Sequence, residues 1–249
     1  MRTLTWDGCL NVRDLGGHET EDGEVTRFGR VVRADSVRRL SDGGWEALVD
    51  YGIRTVVDLR YRTELDSDPP RELDVEVEVV HLSLFGEPDV ARWAELDALG
   101  SEATDASGFT RVVYLEVLEE HRANLAAAVA AVGHAAPGGV VVHCHAGKDR
   151  TGLVTALLLR LAGVSRADVA LDYSLSERNL ASQIDDWVAD ATDDAERELR
   201  RRIGATPAAG MEGVLEELEG RYGSVESYLE AGGASHADLQ AARARLLGE

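Results

Sequence analysis

In the first two thirds of the chain, short apolar runs rich in valine and isoleucine alternate with longer stretches that have a helical period. The short runs close on polar residues, as buried parallel strands do at the edge of a sheet. Four strands are predicted on this basis, at residues 27–35, 53–60, 75–84 and 136–144. Ser41 can cap a short helix that Gly52 ends. Strands alternating with helices predict an α/β fold with a central parallel sheet flanked by helices.

The helical stretches extend the prediction to the end of the chain. Residues 89–132 are expected to be helical, and Gly133 is interpreted as their stop signal. Residues 150–164 are apolar almost all round, which predicts a buried helix. Further helices are expected at residues 165–180, in the charged run to Arg202, and at residues 207–221 and 224–230. We therefore expect one domain over residues 1–249, with a core of about residues 1–172 and a helical cap or lid of about residues 173–249.

Charge and composition exclude several classes of partner. The formal net charge of −20 argues against nucleic acid and against anionic membranes, so an anionic substrate has to be captured locally. No stretch reaches the ~18 apolar residues of a membrane span, and the N-terminus lacks the apolar region of a signal peptide. We expect a cytoplasmic protein without stable membrane insertion, with export by a route that leaves no recognisable signal as the alternative. The sequence carries no signal for its oligomeric state.

Reactive residues concentrate in one stretch, VVVHCHAGKDRTG, at residues 140–152. The chain has two cysteines, too few for a disulfide framework, and Cys144 lies in this stretch while Cys9 is interpreted as a small packing residue. Of the 26 basic residues only Lys148 is a lysine, and it lies in the same stretch. The arrangement indicates a site selected for chemistry.

The predicted elements put Cys144 at the carboxyl end of a central strand and Arg150 in the first turn of the next helix. Open α/β sheets bind ligands in this crevice. Backbone N–H groups of the short loop and of the helix N-terminus can cradle a tetrahedral dianion, and the Arg150 guanidinium can add a bidentate contact. The predicted substrate-binding residues are His145, Ala146, Gly147, Lys148, Asp149 and Arg150.

The same positive groups favour the thiolate form of Cys144, which becomes a nucleophile able to attack phosphorus and form a phosphocysteine intermediate. Asp149 is the nearest candidate to protonate the leaving oxygen, and Asp58, at the end of a neighbouring strand, is the second. Thr151 can donate its hydroxyl to the sulfur. His143 is expected to support the loop through hydrogen bonds, since no second Cys/His pair at metal-ligand spacing accompanies it.

The segment HCHAGKDRTG resembles the loop of the protein tyrosine phosphatase superfamily, in the form that its bacterial tyrosine/serine branch carries and shares in part with phosphoinositide phosphatases. Other segments match that branch in order and spacing. They are NVRDLGG at residues 11–17, residues 31–60, DYSLSERNL after the loop helix and YGSVESYLEAGG near the end.

The resemblance implies the cysteine-phosphatase fold, hydrolysis of phosphotyrosine, and no metal or other cofactor. Phosphoserine, phosphothreonine and phosphoinositides are further implied substrates, the last through the pair Lys148 and Asp149. No Trp-Pro-Asp segment is present, which favours Asp149 as the acid, with Asp58 kept as the alternative. Arg13 and Asp14 are implied to support the loop.

Further implications concern the pocket. The acidic helices of residues 174–221 could form the two-helix lid that some members carry. His145 stands where family loops often have phenylalanine, which affects the polarity of the pocket. Tyr114 and Tyr173 could line the pocket, although each is interpreted first as a packing residue.

Two other functions stay open at the level of sequence. The loop could belong to a non-catalytic module that binds phosphorylated partners, although such a module has no need of an activated thiolate. Alternatively, arsenate or sulfur transfer would require a resolving cysteine near Cys144, and Cys9 is the one available.

Overall fold

The computed structural model describes residues 3–67 and 77–248, and its centre is a five-stranded sheet in the order β1-β2-β5-β3-β4. All neighbouring strands are parallel except β1, which pairs antiparallel with β2. The strands are β1 (Arg13–Asp14), β2 (Val31–Ala34), β3 (Ile53–Asp58), β4 (Glu78–His81) and β5 (Gly139–His143). The predicted α/β class and its central, mostly parallel sheet are confirmed.

Along the described residues the helices surround this sheet. The first six are α1 (Asp42–Asp50), α2 (Arg62–Ser67), α3 (Val90–Ser101), α4 (Ala106–Glu120), α5 (Arg122–His134) and α6 (Asp149–Leu161). The remaining six are α7 (Arg166–Asn179), α8 (Ala181–Ala189), α9 (Asp194–Gly204), α10 (Ala208–Tyr222), α11 (Val225–Ala231) and α12 (His236–Leu247). One 3₁₀ turn, Val37–Arg39, follows β2.

The register of the parallel strands brings three strand ends together at one edge of the sheet. His143, the last residue of β5, pairs with Ala34 of β2 on one side and with Asp58 of β3 on the other. All residues of β5 are buried because helices cover both faces of the sheet. Cys144, directly after β5, therefore emerges at the centre of this edge.

The core extends well beyond the sheet. Nine residues of α6 are buried, as its apolar character predicts. Side chains of α10, α11 and α12 belong to the same hydrophobic cluster as those of β5 and α6, among them Met211, Tyr228 and Leu239. By contrast, α8 buries no residue and α9 buries only Gly204. Within the expected cap, α8 and α9 therefore form a helix pair outside the buried core, with Leu199 and Ile203 of α9 packed against its surface. The division of the chain near residue 172 stays a prediction.

The helical stretch predicted at residues 89–132 differs from the structure at its end and in its interior. Gly133 does not end its helix, since α5 continues to His134; a side chain at Gly133 would meet the backbone of α12, with Ala242 N at 2.7 Å. This glycine permits close helix packing. The strongest predicted run is interrupted at His121, the residue between α4 and α5.

The last helix, α12, was not predicted. It begins with a capping box at Ser235, whose side chain accepts from the N–H of Asp238 while the Asp238 carboxylate accepts from Ser235. That pattern was legible in the sequence. Part of the strand predicted at residues 75–84 lies outside the described residues, which resume just before β4.

Candidate active site

The loop from Cys144 to Arg150 connects β5 to α6 at the centre of the sheet edge. Cys144 is 2% exposed, and Arg150 lies in the first turn of α6, as predicted. The thiol is thus held at the bottom of the loop, where the N-terminal N–H groups of α6 have no partner within the helix. The sequence-predicted nucleophile, loop and guanidinium come together in one place.

Hydrogen bonds to the loop carbonyls fix the orientation of its peptide groups. The carbonyl of His145 accepts from Ser36 N at 2.9 Å, and the carbonyl of Ala146 accepts from the side-chain amide of Asn11 at 3.1 Å. In a trans peptide the N–H of the next residue points opposite to the carbonyl. The N–H groups of Ala146 and Gly147 are therefore turned away from these partners, which creates a row of donors suited to an anion.

Gly147 continues this row. Its carbonyl accepts from Arg33 Nη2 at 2.8 Å and from Asn11 at 3.1 Å, so the N–H of Lys148 faces the opposite side. Gly147 has φ +67°, and a Cβ there would lie 2.4 Å from the carbonyl oxygen of Ala34. Both the backbone conformation and the space require glycine at this position.

Behind the loop lies a buried network centred on Asp172 of α7. Its carboxylate accepts from Arg13 Nε at 3.1 Å and from Arg33 Nη1 at 2.9 Å, and both arginines also approach Ser176. Arg13 further donates to Asn11 Oδ1 at 2.6 Å. Burial alone would raise the pKa of Asp172, but the charges of Arg13 and Arg33 outweigh it and hold that pKa far below its usual range. The carboxylate therefore anchors the two arginines behind the loop.

Arg150 is held by Glu64 of α2. The guanidinium donates from Nη1 to Oε2 at 2.5 Å and from Nη2 to Oε1 at 3.2 Å, and it lies over the ring of Tyr61, 5.0 Å from the centroid. Burial opposes the charge of Arg150, yet the charge of Cys144 and the bond to Glu64 raise its pKa above the ordinary value. Arg150 is therefore a fixed cation close to Cys144.

Asp149 contacts α4, and Lys148 contacts α9. Asp149 Oδ1 accepts from the Tyr114 hydroxyl at 2.6 Å, and that hydroxyl is 2.9 Å from the hydroxyl of Tyr173. Lys148 Nζ lies 3.2 Å from Asp149 Oδ1 and also donates to the carbonyl of Ile203 in α9. The lysine therefore links the loop to the helix pair outside the core.

Asp58, the second candidate acid, lies at the end of β3 next to His143. It is fully buried beside His143, whose Nε2 is 3.5 Å from Asp58 Oδ2, and Arg60 donates to the same oxygen at 2.9 Å. Burial would raise the pKa of Asp58, but the hydrogen bonds and charges of His143 and Arg60 lower it strongly. Asp58 is therefore bound to Arg60 inside the protein, and the choice between Asp149 and Asp58 as the acid stays a prediction.

The other predicted residues take the following places. His143 Nδ1 lies 3.1 Å from the carbonyl oxygen of Cys144. Thr151 is fully buried, and its Oγ1 has no hydrogen-bond partner among the described residues. Asp14 accepts from the N–H groups of Gly16 and Gly29 at 2.6 and 2.7 Å, so it organises the turn before β2 and does not contact the loop through these bonds.

A pocket of about 330 Å³ opens next to Asp149 and Arg150. Its walls come from α3, α4, α6 and α7, from α8 and α9, and from neighbouring loop residues. They are mostly aromatic and apolar. The lining includes Tyr61, Phe85, Trp93, Phe109, Tyr114, Tyr173, Trp187 and Ile203. Both tyrosines that the sequence analysis interpreted first as packing residues thus face the pocket.

Sequence reasoning did not single out Asn11, Arg33 or Glu64, although each contacts the loop or its arginine. Asn11 opens the NVRDLGG segment, but the motif alone does not show that its side chain bonds the loop carbonyls. Arg33 reads as an ordinary strand residue, and Glu64 reads as one acid among many. Only the three-dimensional arrangement identifies them.

Among the described residues, one cluster of ligand-type side chains lies outside the loop. Glu226, Glu230 and His236 bring their ligand atoms within 4.8 Å of one another, and all three are exposed. None of them belongs to the cysteine loop, and exposed acidic groups of this kind are common without an ion.

Among the described residues no helix is both long and apolar enough to cross a membrane.

Comparison with known proteins agrees with this geometry. The model of the tyrosine phosphatase family matches residues 4–248. The chain is 30% identical over 222 residues to a tyrosine-protein phosphatase of Nostoc commune, covering 86% of this chain and 73% of the relative. It is 29% identical over 276 residues to the triple specificity protein phosphatase PtpB of Mycobacterium tuberculosis, covering 97% of this chain and 98% of the relative. The chain therefore belongs to the tyrosine phosphatase family and is a protein-tyrosine phosphatase.

Proposed function

We propose that the enzyme hydrolyses phosphotyrosine through a phosphocysteine intermediate on Cys144. The phosphate binds to the N–H groups of the loop, residues 145–150, and to the guanidinium of Arg150. Sγ of Cys144 then attacks phosphorus, and the bond from phosphorus to the tyrosyl oxygen breaks. One observation carries the proposal. The loop carbonyls accept hydrogen bonds from groups behind the loop, so the N–H groups of the same peptide units point toward the phosphate site, beside a buried cysteine.

Asp149 is proposed to give its proton to the leaving oxygen. It lines the pocket next to Arg150, and the Tyr114 hydroxyl fixes its Oδ1. In the second step Asp149 takes a proton from water, which attacks phosphorus as the sulfur–phosphorus bond breaks. Thr151 is proposed to stabilise the leaving thiolate, and its buried, unpartnered hydroxyl supports this role. No step needs a metal or other cofactor.

The pocket supports a preference for phosphotyrosine over phosphoserine and phosphothreonine. Aromatic and apolar walls next to the phosphate site can bury a phenyl ring, whereas a serine side chain would leave them empty. The relative named as a triple specificity phosphatase supports more than one substrate class. The resemblance of the loop supplies phosphoserine, phosphothreonine and phosphoinositides as the proposed slower substrates. The helix pair α8 and α9 is proposed to act as the lid of this pocket.

The two other functions have less support. A phosphate-binding module without catalysis would not require the acid at Asp149 or the hydroxyl at Thr151. Arsenate or sulfur transfer would require a reactive second thiol. Burial and the nearby charge of Asp35 raise the pKa of Cys9, whose thiol is 3.4 Å from the carbonyl oxygen of Ser36, so Cys9 is poorly suited as a resolving cysteine.

The test is phosphate release from a phosphotyrosine peptide, a phosphoserine peptide and a phosphoinositide, with a metal chelator present. Wild type should turn over all three, the phosphotyrosine peptide fastest, and Cys144→Ser should turn over none while still binding phosphate. Activity that survives in Cys144→Ser would refute the cysteine mechanism. A faster rate on the phosphoserine peptide would refute the role given to the pocket.

A further inference from the structure

On the side of the loop formed by the turn after β2 lies a pair of polar side chains that the proposed mechanism does not use. Arg39 Nη2 is 2.9 Å from His145 Nε2. Arg39 is exposed, and the side chain of His145 is 60% exposed. His145 directly follows Cys144, and its Nδ1 lies 3.8 Å from Oε1 of Glu64, the partner of Arg150, so this pair lies beside the phosphate site.

The backbone around Arg39 is attached to the loop. The 3₁₀ turn Val37–Arg39 begins after Ser36, whose N–H donates to the carbonyl of His145 at 2.9 Å, and Arg39 N donates back to Ser36 O at 3.0 Å. The side chain of Arg39 is therefore carried on a short, anchored turn. Its distance from the loop is set by the fold and does not depend on a flexible segment.

Arg39 differs from its neighbours in how its charge is compensated. Arg150 is paired with Glu64, and Arg60 is paired with Asp58. For Arg39 the structure records no carboxylate within ion-pair distance among the described residues, and its one side-chain bond goes to an imidazole. This leaves an exposed guanidinium without a carboxylate partner beside the phosphate site.

His145 is suited to hold this guanidinium in place. Arg39 donates, so Nε2 of His145 must accept, which requires the neutral imidazole. Burial and the charges of Arg39, Arg150 and Arg60 lower the pKa of His145, with only Glu64 acting in the other direction. A phenylalanine at this position, as family loops often have, would offer Arg39 no acceptor.

We propose that Arg39, positioned by His145, binds a second anionic group, a side-chain carboxylate or phosphate next to the phosphotyrosine of a protein substrate. This subsite rests on the proposed function, because it takes the dephosphorylated residue to lie in the loop. A protein substrate is favoured over a lipid because the net charge of −20 repels an anionic membrane surface. At physiological salt, charges beyond about 8 Å are screened, so an acidic residue in contact with Arg39 is attracted despite the overall charge.

The test uses matched phosphotyrosine peptides that differ only in a glutamate or a glutamine beside the phosphotyrosine, placed before it in one pair and after it in another. For wild type the ratio of kcat/KM values, glutamate over glutamine, should be about threefold to fivefold in at least one pair, the effect of a solvent-exposed ion pair. Arg39→Gln should bring that ratio to about one, and His145→Phe should lower it in the same way. Raising the salt concentration should also reduce it.

Arg54→Gln is the matched control. Arg54 is exposed and lies at the start of β3, away from the sheet edge that carries Asp58 and the loop. This variant removes the same charge from the protein, so it should keep the wild-type ratio. An equal fall in Arg39→Gln and Arg54→Gln would overturn the subsite and leave only a long-range field.

Binding of the same peptides to Cys144→Ser separates the two proposals. If wild type turns over the peptides with a ratio of one in both pairs, the subsite is wrong and the proposed function stands. If wild type turns over none of them but Cys144→Ser binds the glutamate peptide more tightly, and Arg39→Gln in that background removes the difference, the function is wrong and the subsite stands. An Arg39-dependent preference for a bisphosphorylated over a monophosphorylated inositol headgroup, with no peptide preference, would overturn the assignment to proteins.

Discussion

The outward bonding of the loop carbonyls leads to a specific prediction for Asn11→Ala. The Asn11 amide is fully buried and bonds the carbonyls of Ala146 and Gly147, both at 3.1 Å. After truncation Gly147 keeps its bond from Arg33, but the Ala146 carbonyl loses the side-chain donor that fixes it. We expect the N–H of Gly147, on the same peptide group, to lose its fixed orientation toward the phosphate.

The magnitude follows from the cost of one unsatisfied buried carbonyl, about 1–3 kcal/mol. If about 2 kcal/mol of this appears in the transition state, kcat/KM on a phosphotyrosine peptide should fall about 30-fold, since 1.4 kcal/mol is about a factor of ten. The affinity for vanadate, an oxyanion that occupies the same donors, should fall with it. Both are measured by steady-state kinetics, and the melting temperature is recorded in parallel.

Asn179→Ala is the control for this experiment. Its side-chain amide also bonds Asn11, at 3.2 Å to Oδ1, but that bond does not involve the loop carbonyls. We expect its kcat/KM to stay within a factor of about three of wild type, because the lost hydrogen bond does not hold a loop carbonyl and its cost falls mainly on stability. Equal losses in the two variants, or an Asn11→Ala enzyme with wild-type kinetics, would refute the reasoning.

Three further predictions concern the loop and the network behind it. Gly147→Ala should lower the free energy of unfolding in urea by more than about 3 kcal/mol. Gly23→Ala, also at positive φ but in open space, should lower it by only about 1–2 kcal/mol, and similar losses in the two variants would contradict the contact at Gly147. Asp149→Asn should lower kcat about 10²-fold or more on phenyl phosphate but far less on 4-nitrophenyl phosphate, whose leaving group needs no proton; equal losses would exclude Asp149 as the acid. The lowered pKa of Asp172 stabilises the fold above pH about 4, and this stabilisation disappears as the pH falls below that value. Asp172→Asn should therefore be less stable than wild type at neutral pH and should lose less stability on acidification. A free energy of unfolding with the same pH profile as wild type would contradict this.

The sequence was sufficient for those features that depend on local patterning. The β-branched runs predicted the strands, and a cysteine and an arginine separated by five residues at a strand-to-helix junction predicted the cradle. The apolar residues 150–164 correctly predicted the buried helix α6. These features need only neighbours in sequence.

Features that depend on distant neighbours were not predictable. Gly133 reads as a helix stop in sequence, and only the approach of α12 shows that it is a packing residue. Glu64 lies 86 residues before Arg150, and nothing in its own segment distinguishes it from other acids. Asp58 is an acid at a strand end beside the loop, and only the structure shows that it is fully buried, bonded to Arg60 and 3.5 Å from His143 Nε2.

The central claim is that phosphate passes through Cys144, and it is tested most directly by capturing the intermediate. Wild-type enzyme is mixed with a phosphotyrosine peptide, quenched in acid within the first turnover, digested and examined by mass spectrometry. The account predicts one added phosphoryl group on Cys144, absent from Cys144→Ser. Phosphate release with no such adduct at any time, or an adduct on another residue, would contradict it.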